Sequence, residues 1–265
     1  IVAIVGNKVI PGVEKIRNQF SNACKMGSTI GLENFLKRLG TVIESRSHSV
    51  EDLLMFLERA DLPIADDGSI LIYKVLRRKD GKYVDCHTGN VPQWVGAYVH
   101  MDPSLVDHVR NNECSNGLHV ARRGYIHSFS GDVCVLAKLA PEDVITVPAY
   151  DANKMRVCGY HIIDELTPKQ YSCLKNNQAI TSVVGGSTLL AKAIKGDHIG
   201  KTHAVKVTAQ KGGGVQVTEL QKTTVTKPLK KVIPVQALPN QDSGMTAPAV
   251  NPLDVVAAVQ TMTRK

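Results

Sequence analysis

The sequence predicts an α+β fold with a small N-terminal hairpin and helical module, a mixed, mostly antiparallel sheet core, and an extended C-terminal arm. Apolar residues recur at helical spacing before residue 60, whereas short β-branched or alternating runs separated by Gly, Pro and Asp turns come after it. All Trp, Tyr and Phe residues lie at or before Tyr171, so the remainder lacks the side chains that bury most area. We therefore divide the chain into the hairpin and helical module (1–60), the α+β core (61–176), a short helical connector (177–204) and the extended basic arm (205–265).

The first 60 residues predict a hairpin and three helices. VAIV and KVI flank Gly6-Asn7, two residues that accept the positive φ of a tight hairpin turn. Apolar residues three to four apart predict helices over 13–23 and 32–43. Ser49 followed by Asp52 predicts a capping box that opens a third helix.

The core is predicted to contain a sheet of about six strands. Its runs are ILIYKVLR, YVDCH, WVGAYVHM, DVCVLAKL, DVITVPAY and MRVCGYHII. Short helical pieces are expected at 103–109 and 123–129. A closing helix begins where Thr167 serves as N-cap and Pro168 takes the first helical position.

The connector and the arm follow the core. Residues 183–196 predict a short helix with Ser187 as cap and Gly196 as stop. VKVTAQ and VQVTEL alternate like an exposed hairpin, and residues 222–254 are Pro-punctuated, rich in Val, Thr and Lys, and poor in acids. Such a segment suits strand addition or groove binding on a partner. The candidate partner-binding residues of the arm are Lys222, Lys227, Lys230 and Lys231.

The overall composition indicates a soluble, cytosolic protein. A formal charge of +8 and a pI near 9.2 permit contact with nucleic acid or an anionic membrane surface, and they equally fit a solubilising surplus of lysine. No apolar run approaches the roughly 20 residues that cross a bilayer. The six cysteines lack CxxC spacing, which indicates reduced, packed thiols.

The stretch ECSNGLHVARRGYIHSF, residues 113–129, concentrates chemically active side chains. Cys114 lies close to His119 in the sequence, which raises the hypothesis of cysteine catalysis. His119 with Arg122 and His127 loosely resembles a segment of RNA 2′-phosphotransferases and ADP-ribosyltransferases, which would imply an NAD-using enzyme. The alternative is structural: Leu118 and Val120 point inward from a strand that leaves a tight turn, and His119 points outward.

A metal site is a further hypothesis. Cys158 and His161 have a feasible ligand spacing, but residues three apart on a strand face opposite sides. We therefore expect no metal and no other cofactor.

Four segments, in order, resemble a known family: LPIADDGSILIYKVLRR from Leu62, DCHTGN from Asp85, VRNNECSNGLHVA from Val109, and ITVPAYDANKMRVCGYHIIDEL from Ile145. They are similar to the shared core of the phage rIIB-like proteins, the rapid-lysis B family, over about residues 30–166. The family-motif positions are Asp67, Gly68, Tyr73, Lys74, His87, Gly89, Cys114, Gly117, Leu118, His119, Val120, Met155, Arg156, Val157, Cys158 and Tyr160.

The resemblance implies a bacteriophage protein that acts in the infected host without an established enzymatic activity. It further implies an rIIA-like partner, an effect on lysis timing and on exclusion by resident prophages, and a place in the host cytoplasm or peripheral to its inner membrane. A different expectation is a virion or assembly component whose arm binds neighbouring subunits. An oligomer or assembly follows from either, and the NAD-using enzyme remains the third alternative.

Overall fold

A computed structural model describes residues 3–25, 28–45, 47–59, 62–112, 115–151, 153–209 and 214–220. Within them the chain forms helices and one large mixed sheet, which confirms the predicted α+β class. None of the helices in these ranges is long and apolar enough to cross a membrane.

The N-terminal module contains the predicted hairpin and three helices. Strands β1 (Ala3–Val5) and β2 (Lys8–Ile10) pair antiparallel across a turn in which Gly6 has φ 60°. A 3-10 turn (Val13–Ile16) leads into α1 (Arg17–Lys25), and α2 (Ile30–Val42) and α3 (Ser47–Glu58) follow. The predicted cap of the third helix is wrong, because α3 begins at Ser47 and Ser49 lies inside it.

The large sheet has ten strands in the described residues: β3 (Ile70–Lys79), β4 (Lys82–Asp85), β5 (Ala97–His100), β6 (Leu118–Ala121), β7 (Val133–Leu139), β8 (Val144–Thr146), β9 (Lys154–Val157), β10 (Gly159–Glu165), β11 (His203–Ala209) and β12 (Val215–Leu220). Eight of them, β3 to β10, lie in the core, where about six were expected. The strand order is β12-β11-β5-β10-β7-β3-β6-β9-β8, with β4 paired to β3. All neighbours are antiparallel except β5 and β11.

The run MRVCGYHII accounts for part of this difference. It was predicted as one strand, but it forms β9 and β10 with a break at Cys158. β9 pairs with β6 and β8, whereas β10 pairs with β5 and β7. At the break the Cys158 amide donates to the Asp143 carbonyl at 2.9 Å. Cys158 thus connects two strands that β7, β3 and β6 separate in the sheet order.

Two hydrophobic clusters lie on opposite faces of the sheet. On β3, Ile70 and Ile72 belong to the larger cluster, which includes apolar residues of α2 and α3. Leu71 and Tyr73 belong to the smaller one, with residues of the two C-terminal helices. Successive residues of a strand point to opposite faces, so helices cover both sides of the central strands.

The helical piece after β5 is a single 3-10 turn, Pro103–Leu105, shorter than the predicted 103–109, and the piece after β6 is a 3-10 helix of six residues, Arg123–Ser128. The closing helix α4 (Pro168–Lys175) has the predicted Thr167 cap, which Gln170 completes as a capping box. In α5 (Gly186–Lys195) the cap is Gly185 instead of Ser187, which lies in the first turn, and Gly196 ends the helix in the left-handed conformation as predicted.

Part of the predicted arm lies in the sheet. Residues 205–209 and 215–220 belong to the predicted hairpin, β11 and β12, and β11 pairs in parallel with β5. The four candidate lysines of the arm, at positions 222, 227, 230 and 231, lie outside the described residues, as does the rest of the arm.

Candidate functional site

His119, the first of the two histidines in the 113–129 segment, lies in strand β6 of the sheet. β6 buries Leu118 and Val120 in the larger cluster, as predicted, and leaves His119 on the other face. There His119 is half-buried, not freely exposed as expected. Burial, reinforced by the charges of Lys74 and Arg156, lowers the pKa of His119 to about 4, so the imidazole is neutral at neutral pH.

The other candidates in this segment make separate contacts. Arg122 Nε donates to Asn153 Oδ1 at 2.6 Å, and its guanidinium lies 5.9 Å from the centroid of the Phe56 ring. His127 is exposed on its 3-10 turn. Cys114 lies outside the described residues. A cleft that grips a nucleotide would bring His119, Arg122 and His127 together. Among the described residues, no hydrogen bond, ion pair or ring contact joins these three side chains to one another.

Lys74 of β3 contacts two other positions of the family motif. Its ammonium donates to the His119 carbonyl at 2.5 Å and lies 5.5 Å from the centroid of the Tyr160 ring. Burial lowers the pKa of Lys74, and the charge of Asp85 opposes that shift. The Tyr160 hydroxyl in turn donates to Gln93 Oε1 at 2.7 Å. These bonds hold β3, β6, β10 and the segment before β5 together.

Asp85 organises the loop DCHTGN that follows β4. Its carboxylate accepts from the amides of Thr88 at 2.5 Å, Asn90 at 3.1 Å and Val91 at 2.9 Å, and from the Thr88 hydroxyl at 2.8 Å. Gly89 adopts φ 66° within this loop, and the neighbouring His87 is exposed. Burial raises the pKa of Asp85, but the bonds from Val91 and Thr88 and the charge of Lys74 outweigh burial and hold it below its usual value.

We expect Asp85→Asn to lower the free energy of unfolding at pH 7 by about 2 kcal/mol, since an amide cannot accept all four bonds without presenting a donor to one of them. The folded-state pKa of Asp85 is depressed, so its contribution is complete above the unfolded value near 4 and is lost as pH falls through the folded value. Urea denaturation at pH 7 and pH 3 should therefore show the gap between the two proteins closing in acid. Glu58→Gln, the same change at an exposed position, should leave stability unchanged.

Arg156 of β9 is the largest fully buried side chain among the described residues. Its two terminal nitrogens donate to the carbonyls of Asn112 at 2.9 Å and Val109 at 2.5 Å. Gly117 lies against it, because a Cβ there would come within 3.3 Å of Arg156 Cβ. The guanidinium thus anchors the irregular segment between β5 and β6 to the sheet.

A second group of polar side chains surrounds a cavity of about 220 Å³. Its floor is a row across three neighbouring strands, because His161 of β10 lies opposite Tyr98 of β5 on one side and Lys138 of β7 on the other. The remaining lining residues come from α2, from the turn before β3, from β10, from the segment after β7 and from the segment after α5: Arg38, Asp67, Ser69, Tyr160, Ala140, Asp143, His198 and Lys201.

Several charged groups around the cavity are already paired. Lys138 Nζ lies 2.9 Å from Asp67 Oδ2, and this contact, with the Ser69 amide, holds the pKa of Asp67 low despite burial. Arg38 makes a two-pronged pair with Glu142, with Nε 2.8 Å from one carboxylate oxygen and a terminal nitrogen 2.6 Å from the other.

Two histidines face each other in the cavity. The ring centroids of His161 and His198 are 5.8 Å apart. His198 Nδ1 lies 2.9 Å from the Ile199 carbonyl, and the His161 ring bonds to the backbone of Gly200. Burial, with the charges of neighbouring groups including Lys201, lowers the pKa of His161 to about 4. Both Nε2 atoms are buried and have no hydrogen-bond partner among the described residues.

The predicted metal candidates make separate contacts here. Cys158 Sγ donates to Asp143 Oδ1 at 3.5 Å, whereas His161 contributes to the cavity floor. No group of three or more His, Cys, Asp or Glu residues within the described ranges has a metal-binding arrangement.

The sequence analysis named His161, Asp67 and Tyr160 but missed the other cavity residues. The signal that could have found two of them is a polar residue inside an otherwise apolar strand, as with Lys138 in VCVLAKL and Tyr98 beside buried Ala97 and Val99. Arg38, His198 and Lys201 carry no such signal, since each lies in a polar local context.

Comparison with known proteins decides the family. The family model described as bacteriophage T4 protein rIIB matches residues 32–172, more than half of the chain. The chain belongs to the rIIB family. The protein rIIB of Enterobacteria phage T4 is 32% identical over 139 residues, which are 51% of this chain and 44% of that relative. The chain thus spans less than half the length of this relative. No solved structure matches the chain.

The family match includes most of α2, all of α3, β3 to β10 and part of α4. Within it, Leu118, Val120, Met155 and Val157 are core residues. The polar motif positions Lys74, Arg156 and Tyr160 make the buried bonds described above. The motif of this rIIB-family core therefore consists largely of residues that hold the sheet and its loops together. Two of the motif positions, Asp67 and Tyr160, also line the cavity.

Proposed function

We propose that this rIIB-family protein acts in the infected host without catalysis of its own, through contacts with other phage proteins, and that it influences the timing of lysis and exclusion by resident prophages. The observation that carries the proposal is the family match over residues 32–172. The rIIA-like partner implied by the resemblance is the first candidate for these contacts.

The edge of the sheet supports a binding role for the C-terminal part. In the described chain β12 pairs with β11 on one side, and its other side is open at the end of the strand order. An open edge presents backbone amides and carbonyls that can pair with another strand. The sequence continues from β12 directly into the Lys-rich arm. A partner could thus add a strand to the edge at β12 and, at the same time, be attracted by the positive charges of the arm.

The arm can be tested by affinity purification of the tagged, full-length chain from infected cells, with mass spectrometry of the proteins that co-purify. We expect one or more phage proteins to be enriched, and a variant with the four arm lysines at 222, 227, 230 and 231 changed to serine to recover at most about a tenth as much. The matched control changes four exposed lysines elsewhere to serine, namely Lys37, Lys82, Lys169 and Lys192.

Three results would each contradict part of the proposal. The absence of any enriched phage protein would remove the interaction role. Recovery of the chain in purified particles at a fixed copy number would favour the virion or assembly component instead. Deletion of the gene from the phage should change the lysis time of a synchronised culture, and an unchanged lysis curve would remove that part of the proposal.

A further inference from the structure

We propose that the cavity lined by His161, His198 and Lys201 is a binding site for inorganic phosphate in a form that retains a P–OH group. The site is independent of the proposed interaction role, which uses the arm and the sheet edge. Three features of the cavity carry the inference: a cation that forms no ion pair with a described residue, two imidazole nitrogens without a hydrogen-bond partner among the described residues, and a volume suited to a small ligand.

Lys201 supplies the cation. Arg38 and Lys138 are paired with Glu142 and Asp67, but Lys201 forms no ion pair with a described residue. Its ammonium lies 3.7 Å from the centroid of the Tyr98 ring, above the cavity floor. Burial lowers the pKa of Lys201, chiefly opposed by Asp143. An anion in the cavity would compensate this desolvated charge.

His161 supplies a hydrogen-bond acceptor. His161 is 6% exposed, and its Nε2 has no hydrogen-bond partner among the described residues. The ring bonds to the backbone of Gly200. Since a carbonyl oxygen can only accept, the bonded nitrogen is Nδ1 and carries the proton, which leaves Nε2 of the neutral ring as an acceptor. The same reasoning applies to His198, whose Nδ1 lies 2.9 Å from the Ile199 carbonyl.

The two carboxylates that line the cavity are engaged by the protein. Asp67 pairs with Lys138, and Asp143 accepts from Cys158 Sγ and from the Tyr98 hydroxyl. Part of the hydrogen-bonding capacity of both carboxylates is therefore already used within the protein. The volume of about 220 Å³ is several times the roughly 30 Å³ that one water occupies in the liquid, so a group of several non-hydrogen atoms fits.

The unused groups select the ligand. It must accept from an ammonium and donate to an imidazole nitrogen, so it must be an anion that keeps a hydroxyl. Inorganic phosphate keeps at least one P–OH near neutral pH, whereas sulfate has none and a phosphate monoester loses its last acidic proton near pH 6. A metal cation would use the two nitrogens but would meet the charges of Lys201 and Lys138.

The test is isothermal titration of the purified full-length chain with sodium phosphate at pH 7, and with sodium sulfate at equal ionic strength. We expect phosphate to bind at least about tenfold more tightly than sulfate, because sulfate leaves the buried Nε2 unpaired. Adenosine monophosphate forms a third arm. Binding of phosphate alone supports a site for the free anion that keeps a P–OH group, and comparable binding of the nucleotide would overturn the requirement for that group.

Two variants and one control locate the binding. Lys201→Met should weaken phosphate binding at least about tenfold. His161→Phe keeps a buried ring but removes Nε2, so the preference for phosphate over sulfate should become smaller than in the wild type, with His198 Nε2 as the remaining acceptor. Lys192→Met removes a lysine charge at an exposed position of α5 outside the cavity and should leave the affinity unchanged. The thermal midpoint of each variant without ligand checks that it is folded.

Nitrogen-15 spectra of the histidine rings give an independent measurement. Phosphate should move the His161 Nε2 resonance in the wild type and in Lys192→Met. Equal phosphate affinity in the wild type, Lys201→Met and His161→Phe would overturn the proposal, as would undetectable binding at tens of millimolar. Zinc that shifts both histidine resonances where phosphate shifts neither would overturn it in favour of a cation site.

Discussion

Gly68→Ala is expected to lower the free energy of unfolding by about 3–5 kcal/mol, the sum of backbone strain and a clash with helix α2. Gly68 has φ +80°, a conformation that costs a residue with a Cβ about 1–2 kcal/mol. A Cβ at this position would also lie 2.6 Å from the Phe35 amide nitrogen and 2.7 Å from the Asn34 carbonyl carbon. Both are backbone atoms of a helix, so neither can rotate away.

Gly81→Ala separates the two contributions. Gly81 has φ +74°, but its added Cβ would have no atom within 4 Å. It should therefore cost only the strain, about 1 kcal/mol. Urea denaturation of both variants gives the comparison. If both variants lost the same free energy of unfolding, the close contact between the turn before β3 and the backbone of α2 would be wrong. The same turn carries Asp67 and Ser69, so Gly68→Ala should also weaken phosphate binding in the cavity.

Local signals predicted the parts of the fold whose causes lie within a few residues. The Gly6-Asn7 turn fixes its hairpin by backbone conformation alone, and Thr167 caps α4 because Gln170 is placed to complete the box. Ser49 carries a similar signal but lies inside α3. A capping pattern indicates a residue that can begin a helix, and an earlier start at Ser47 leaves it in the helix.

The cavity and the sheet order depend on contacts that no short window contains. Arg38 comes from α2 and Lys201 from the segment after α5, and the sequence around each residue gives no sign that the two line one cavity. MRVCGYHII alternates like one strand, and only its pairing partners show that it is two. The α+β class was predictable because it needs only the hydrophobic period, whereas strand order and the site need tertiary contacts.

Arg156→Met is expected to lower the free energy of unfolding by about 3–5 kcal/mol, because it removes the buried donors of two carbonyls. Arg156 donates to the carbonyls of Asn112 at 2.9 Å and Val109 at 2.5 Å. Among the described residues, no other side chain donates a hydrogen bond to these two carbonyls. Arg156 also contributes to the low pKa of Asp107, about 2, which burial opposes and the bonds from Ser115 and Asn112 help to hold down. Its loss therefore weakens the segment between β5 and β6 at several points.

Two further substitutions show whether geometry or charge is responsible. Arg17→Met makes the same change on the exposed face of α1 and should cost less than about 0.5 kcal/mol. Arg156→Lys keeps the charge but replaces two separate nitrogens with one ammonium, so it should recover less than half of the loss. Urea denaturation measures all three, and hydrogen exchange of residues 106–112 should rise in Arg156→Met before global unfolding. If Arg156→Lys were as stable as the wild type, charge alone would account for the effect, and the two-carbonyl anchor would be wrong.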